Sequence, residues 1–214
     1  MRAVIFDLWD TLVFYDVEHS RATERRIAER LGVDPDRFHR IWRESRSERD
    51  GGSLADSFRS VGATDESLPE LLDLRRDAFR EVAVPREGAL ETLRELRERG
   101  FRLGMISVCS DEVAELWEET PFAGLFDSTV FSCSVGLRKP DPAIYRLALD
   151  ELDVEPADVM FVGDGANDEL AGAERVGMRA VLILRPEQDE PHWEEARGWQ
   201  PRITSIPEVL DLVE

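Results

Sequence analysis

Short apolar segments alternate with longer segments of helical periodicity along most of the chain. The apolar, β-branched runs predict strands at residues 3–8, 102–106, 128–131, 159–162 and 180–184. Apolar residues at helical spacing predict helices at residues 88–99, 111–119, 142–152 and 168–176, and a weaker strand–helix unit at 203–213. This alternation indicates an α/β fold built on a doubly wound parallel sheet.

Residues 15–83 interrupt the alternation with highly charged segments of helical periodicity. They predict helices at residues 18–31, 35–48, 53–61 and 67–81, separated by Gly32, Gly51, Gly52 and Gly62. We therefore expect an α-helical insertion at residues 15–83 in a core formed by residues 1–14 and 84–214. A helical bundle that only stabilises the core is the alternative.

Size and charge narrow the classes of partner. A chain of 214 residues can bury one core with a modest insertion, and its net charge of −19 argues against nucleic acid or an anionic membrane surface. An anionic substrate must then be met by a local positive site. No apolar run approaches the roughly 20 residues of a membrane span, and we expect no signal peptide. Two cysteines, Cys109 and Cys133, are too few for a disulfide framework, which favours reduced thiols in a cytoplasmic protein.

The first motif is an apolar strand that leads into Asp7, Trp9, Asp10 and Thr11. It resembles the Asp-x-Asp-x-Thr motif of phosphatases among the haloacid dehalogenase-like (HAD) hydrolases. In that family the first aspartate is the nucleophile and the second is the general acid and base. Asp7 matches the nucleophile, whereas Trp9 stands in the place of the acid. Taken alone, Asp7 could equally be a turn or helix-capping residue.

Two further strand ends extend the resemblance. Ser107 ends a predicted strand and is similar to the second HAD motif, whose hydroxyl binds a phosphoryl oxygen; Val108 stands where the family often has asparagine. An ordinary strand-end serine is the alternative. Lys139, in a Lys-Pro-Asp-Pro run, resembles the third motif, whose lysine neutralises the nucleophile and the transferred group. It is the only lysine among 27 basic residues, and a compact ammonium suits a point-charge role better than a guanidinium does.

The fourth motif is a Gly-Asp turn after a strand, followed by two more acidic residues. The resemblance implies a Mg2+ site, and Mg2+ prefers hard oxygen ligands. We expect Asp7, Asp164 and the backbone carbonyl of Trp9 as direct ligands. Asp168 is the expected outer ligand and Glu169 its rival, because family spacing varies by one residue here.

Together the four motifs resemble a Rossmann-like HAD core with a small α-helical cap at residues 15–83. The resemblance implies a cytoplasmic hydrolase that acts on a small phosphorylated metabolite with Mg2+. It also implies that Asp7, Lys139 and Ser107 are the catalytic residues. Ser107, Val108 and Lys139 are the implied substrate-binding residues, and Arg43 of the cap is a further candidate.

Trp9 leaves three functions open. A phosphatase would act slowly on alkyl phosphates and better on substrates with good leaving groups, because an indole N–H is only a donor. The neighbouring Asp10 could replace the acid only if the turn directs it into the site. A 2-haloacid dehalogenase resembles this chain in having an aromatic residue at this position, and Arg43 could then bind the substrate carboxylate, but such enzymes need no metal. The third possibility is a binding protein that has lost catalysis.

Overall fold

The computed structural model describes residues 1–213, apart from the side chain of Ser47. Six parallel strands form one sheet in the order β3-β2-β1-β4-β5-β6. The strands are β1 (Ala3–Phe6), β2 (Arg102–Ser107), β3 (Ser128–Phe131), β4 (Val159–Gly163), β5 (Arg179–Ile183) and β6 (Arg202–Ile203). The predicted α/β class with a doubly wound parallel sheet is confirmed.

Helices cover both faces of this sheet, as continuous parallel strands require. In chain order they are α1 (Val17–Leu31), α2 (Pro35–Glu44), α3 (Arg46–Arg49), α4 (Leu54–Ser60), α5 (Leu68–Val82), α6 (Ala89–Glu98), α7 (Asp111–Glu115), α8 (Ser132–Val135), α9 (Pro142–Leu152), α10 (Glu169–Arg175) and α11 (Val209–Leu212). The side chains of α6, α7 and α11 pack on one face, and those of α9 and α10 pack on the other. None of the described helices is long and apolar enough to cross a membrane.

The strand order reverses at β1, which lies between β2 and β4. The backbone N–H of Asp7 donates to the carbonyl of Val162 at 2.9 Å, so the pairing with β4 continues one residue beyond β1. Parallel sheets bind ligands in the crevice outside such a reversal. The residues that follow β1 and β4 are therefore in the place where the fold provides a site.

Helices α1 to α5 form a unit with a hydrophobic cluster of its own. Trp42 stacks between Phe38 and Phe58, with ring centroids 5.3 and 5.1 Å away. The single helix expected at 35–48 is wrong, because the chain breaks at Ser45 into α2 and α3. The Ser45 hydroxyl and the Arg49 guanidinium both donate to the Trp42 carbonyl at this break. The boundaries of the core and the cap stay predictions.

Charged pairs join this helical unit to the core. Three arginines of α5 donate to three glutamates on α7 and the turn that follows it, in the pairs Arg75–Glu112, Arg76–Glu115 and Arg80–Glu119. The Asp111 carboxylate also accepts a hydrogen bond from the backbone N–H of Leu54, at 3.1 Å. Because α7 starts a few residues after β2, these contacts hold the helical unit beside the end of that strand.

Arg86 connects three loops at the same edge of the sheet. Its buried guanidinium donates to four backbone carbonyls, at 3.0 to 3.3 Å: those of Asp10, Thr11, Leu184 and Thr204. These carbonyls follow β1, β5 and β6; two of the four hydrogen bonds are buried and two are partly buried. Arg86 therefore stabilises the loop that carries the first motif.

We expect Arg86→Met to lower the free energy of unfolding by about 3 kcal/mol or more, because it leaves several buried carbonyls without a donor. Urea unfolding at neutral pH measures the change. The control is Arg94→Met, an exposed arginine of α6, which should change stability by no more than about 0.5 kcal/mol. Equal unfolding midpoints for the two variants would contradict the role given to Arg86.

Candidate active site

The crevice at the strand reversal gathers polar residues from several strand ends. Asp7 follows β1, Asp164 follows β4, and Ser107 is the last residue of β2. Lys139 comes from the segment between α8 and α9. Parallel strands end at the same edge, so the chain brings together residues that lie up to 157 positions apart.

The Lys139 ammonium is at the centre of this group. Its Nζ donates to Oδ1 of Asp7 and, at 2.5 Å, to Oε2 of Glu169, and the lysine is only 4% exposed. Burial alone would lower the pKa of Lys139, but the charges of Asp7 and Glu169 outweigh it and raise that pKa above its ordinary value. Lys139 is thus a fixed positive charge at physiological pH.

Three carboxylates lie close together here, and two of them contact this one ammonium. Each of Asp7, Asp164 and Glu169 offers an oxygen, and these oxygens all lie within 4.8 Å of one another. Burial, and then the negative charge of Asp7, raise the pKa of Asp164 to about 6. Burial also raises the pKa of Glu169 well above its ordinary value. When ionised, these three carboxylates outnumber the single ammonium, and their hard oxygens suit a divalent cation such as Mg2+.

The structure brings Glu169, rather than Asp168, into this group. Asn167 and Asp168 adopt left-handed backbone conformations, with φ of 54° and 56°, so helix α10 begins only at Glu169. The Asp168 side chain is 46% exposed and pairs with Arg175 at 2.9 Å. The start of the helix one residue later than expected decides which acid points inward. The role of either acid towards a metal stays a prediction.

Trp9 is half-buried where the first motif meets the helical unit. Its ring makes edge contacts with Tyr15 and with Phe79 of α5, with centroids 6.0 and 6.1 Å away. The adjacent Asp10 carboxylate accepts from Arg185 at 2.5 Å and from the backbone N–H of Tyr15 at 3.0 Å. Asp10 is therefore bound in an ion pair of its own.

Two hydroxyls at this edge have no partner. Ser107 and Thr11 are fully buried, and the Oγ of Ser107 and Oγ1 of Thr11 make no hydrogen bond with the described residues. Val108, beside Ser107, is also buried. Burying a hydroxyl without a hydrogen-bond partner costs free energy of folding. An oxyanion bound at this edge could accept a hydrogen bond from such a hydroxyl. By contrast, Arg43 is exposed on α2, outside the buried group around Lys139.

Other residues hold the acidic group in place and were missed from the sequence. The Trp193 indole N–H donates to Oδ2 of Asp164 at 2.8 Å, and the Tyr145 hydroxyl donates to the backbone carbonyl of Glu169 at 2.8 Å. Tyr145 follows Lys139 closely on a predicted helix, a signal that could have suggested it. Trp193 lies in an irregular segment between β5 and β6, and no local pattern points to it.

The family model of haloacid dehalogenase-like hydrolases matches residues 1–177. The chain belongs to this family of hydrolases. Two of its curated relatives have different activities. A glyceraldehyde 3-phosphate phosphatase of Methanopyrus kandleri is 30% identical over 86% of this chain and 84% of its own. The (S)-2-haloacid dehalogenase 4A of Burkholderia cepacia is 28% identical over 100% of this chain and 95% of its own.

Solved structures show the same HAD fold. The 2-haloacid dehalogenase of Pseudomonas syringae pv. Tomato has a TM-score of 0.74 at 23% identity, and covers 100% of this chain and 98% of its own. A HAD phosphatase of Thermococcus onnurineus has a TM-score of 0.69 at 20% identity, with the same coverage of both chains. These two likenesses concern the fold alone.

We expect Lys139→Met to lower the free energy of unfolding of this hydrolase by about 3 to 5 kcal/mol at pH 8, because it leaves buried carboxylates without their cation. The loss should be smaller at pH 5. Burial already raises the pKa values of Asp164 and Glu169, and loss of the positive charge of Lys139 raises them further, so the variant regains stability as the pH falls through them. Denaturant unfolding at both pH values measures this, and an equal loss at the two would contradict the charge argument.

Proposed function

We propose that this hydrolase is a Mg2+-dependent phosphatase that forms an aspartyl-phosphate on Asp7. The observation that carries the proposal is the group of three carboxylates around a single ammonium. A dehalogenase that attacks carbon has no need of this excess negative charge. A phosphatase with a divalent cation does need it, because the cation offsets both the carboxylates and the phosphoryl group.

The residues present fit such a cation. We propose Asp7, Asp164 and the backbone carbonyl of Trp9 as ligands, with Glu169 rather than Asp168 as the outer acid. A bound Mg2+ would neutralise negative charge on the phosphoryl oxygens. The carbonyl of Trp9 is available whatever its side chain is, so the loss of the acid need not remove the metal.

The reaction divides among the residues of this chain. The Asp7 carboxylate attacks phosphorus, forms an O–P bond and expels the leaving-group oxygen. Lys139 and the free hydroxyl of Ser107 stabilise the charge on the phosphoryl oxygens in the transition state. Water then attacks phosphorus, the bond between phosphorus and the Asp7 oxygen breaks, and the Asp7 carboxylate is restored. The proton of the water leaves with the inorganic phosphate or passes to solvent.

Trp9 determines which substrates suit this sequence of steps. An indole donates a hydrogen bond but cannot deliver a proton to an alkoxide, and the Arg185 ion pair keeps Asp10 from doing so. A carboxylate leaving group needs little protonation, since its acid has a pKa of about 4. We therefore favour small acyl phosphates over alkyl phosphates, with helices α1 to α5 as the cap that selects among them. The similarity to a glyceraldehyde 3-phosphate phosphatase supports a small phosphorylated metabolite. A cytoplasmic location stays a prediction.

We expect purified protein to release phosphate from acetyl phosphate in the presence of Mg2+, and Asp7→Asn to abolish this release because the amide is not a nucleophile. A phosphate assay with and without EDTA measures both effects. No turnover of acetyl phosphate or p-nitrophenyl phosphate, together with no stabilisation by Mg2+, would sink the proposal.

The second candidate is a 2-haloacid dehalogenase, in which Asp7 attacks carbon and expels halide. It is favoured by the full-length similarity to the Burkholderia enzyme and by the aromatic residue at position 9. Halide release from 2-chloropropionate, unaffected by EDTA, would establish this activity instead. A protein inactive on both substrate classes would leave the binding role.

Trp9→Asp is expected to raise the rate on an alkyl phosphate such as glycerol phosphate at least about tenfold, because it supplies the missing acid and base. The rate on acetyl phosphate should rise less, because its carboxylate leaving group needs no acid and only the hydrolysis of the aspartyl-phosphate gains from the new base. Trp9→Asn is the matched control, since it has the same shape as the aspartate but transfers no proton. If Trp9→Asn accelerates alkyl phosphate hydrolysis as much, the gain comes from the smaller side chain and not from proton transfer.

A further inference from the structure

Trp193 reaches the acidic group from a remote segment. This segment connects β5 to β6 and contains one short 3-10 helix, Glu194–Ala196. Both oxygens of Asp164 accept hydrogen bonds: Oδ1 from the backbone N–H of Ala166 at 3.0 Å, and Oδ2 from the indole N–H of Trp193 at 2.8 Å. The first bond is local to the turn, whereas the second joins residues 29 positions apart.

The same segment also packs against the backbone of the turn that contains Asp164 and Gly165. A Cβ built on Gly165 would meet the Cβ of Ala196 at 2.4 Å, so the short 3-10 helix packs directly against the backbone beside Asp164. Gly165 has φ of 90°, which favours glycine. The segment therefore contacts the turn in two ways, through the packing of Ala196 and through the hydrogen bond of Trp193.

We propose that Trp193 is a positioning residue for the divalent cation, and that its indole N–H orients the Asp164 carboxylate for metal binding. This inference rests on the proposed function. Each carboxylate oxygen has two acceptor positions, so an oxygen bound to the indole can still accept a cation. The hydrogen bond also limits rotation of the carboxylate towards the Lys139 ammonium.

A neutral donor suits this role better than a charged one. An arginine in its place would neutralise Asp164 and compete with the cation for its charge. The indole N–H holds the oxygen and leaves the full negative charge for the metal. Partners of this kind, which bind and orient a metal ligand, typically contribute 10- to 100-fold to metal affinity.

Isothermal titration of the full chain with Mg2+ alone tests this role. Trp193→Phe keeps an aromatic ring and loses the N–H, so we expect the Mg2+ dissociation constant to rise at least about tenfold. The matched control is Trp199→Phe, because Trp199 lies in the same segment and donates at 3.4 Å to the backbone carbonyl of Ala180, away from Asp164. Its Mg2+ dissociation constant should stay within about twofold of the wild-type value.

A second variant separates the hydrogen bond from the packing. Ala196→Gly loosens the contact with Gly165 and keeps the indole, so its Mg2+ affinity should stay close to that of the wild type. A loss in Ala196→Gly equal to that in Trp193→Phe would assign the effect to packing and overturn the role of the N–H. An unchanged affinity in Trp193→Phe would also overturn it. Wild-type protein that binds no Mg2+ would overturn the proposed function itself, and with it this inference.

Discussion

The contact on which the site depends is the ion pair network around the Lys139 ammonium, which donates to both Asp7 and Glu169 in the buried crevice at the strand reversal. Carboxylates at this depth are costly unless a cation compensates for them. One ammonium cannot balance three ionised carboxylates, and burial, together with the negative charge of Asp7, raises the pKa of Asp164. The fold thus creates a demand for additional positive charge at the point where a phosphoryl group would be transferred.

Two tryptophans act on this site in opposite ways. Trp9 occupies the position of the family's acid and base, and it fills the space between the first motif and helix α5 with aromatic contacts. Trp193 lies outside every motif and donates its N–H to the Asp164 carboxylate. An indole can only donate a hydrogen bond. Under the proposed function, the first tryptophan therefore cannot transfer a proton, and the second supports a carboxylate without neutralising it.

The surroundings of the site are held by arginines, which are abundant in this chain. Arg86 donates hydrogen bonds to carbonyls in the loops after β1, β5 and β6, and Arg185 forms an ion pair with the Asp10 carboxylate. Three arginines of α5 connect the helical unit to the core beside β2. Lysine, by contrast, occurs only where a compact ammonium fits between two carboxylates. Planar guanidinium groups reach several acceptors at once, so they suit the supporting contacts better.

The sequence by itself determined the α/β class, the order of strands and helices, and the strand ends at Asp7, Ser107 and Asp164, because hydrophobic periodicity and turn residues are local signals. It also singled out Lys139 by its uniqueness. Only the tertiary structure decided which of Asp168 and Glu169 points into the acidic group, because that depends on two left-handed residues that delay the start of α10. The hydrogen bonds from Arg185 to Asp10 and from Trp193 to Asp164 could not be predicted from the sequence either. These contacts join residues 175 and 29 positions apart, and no local pattern encodes a distance in space between such remote side chains.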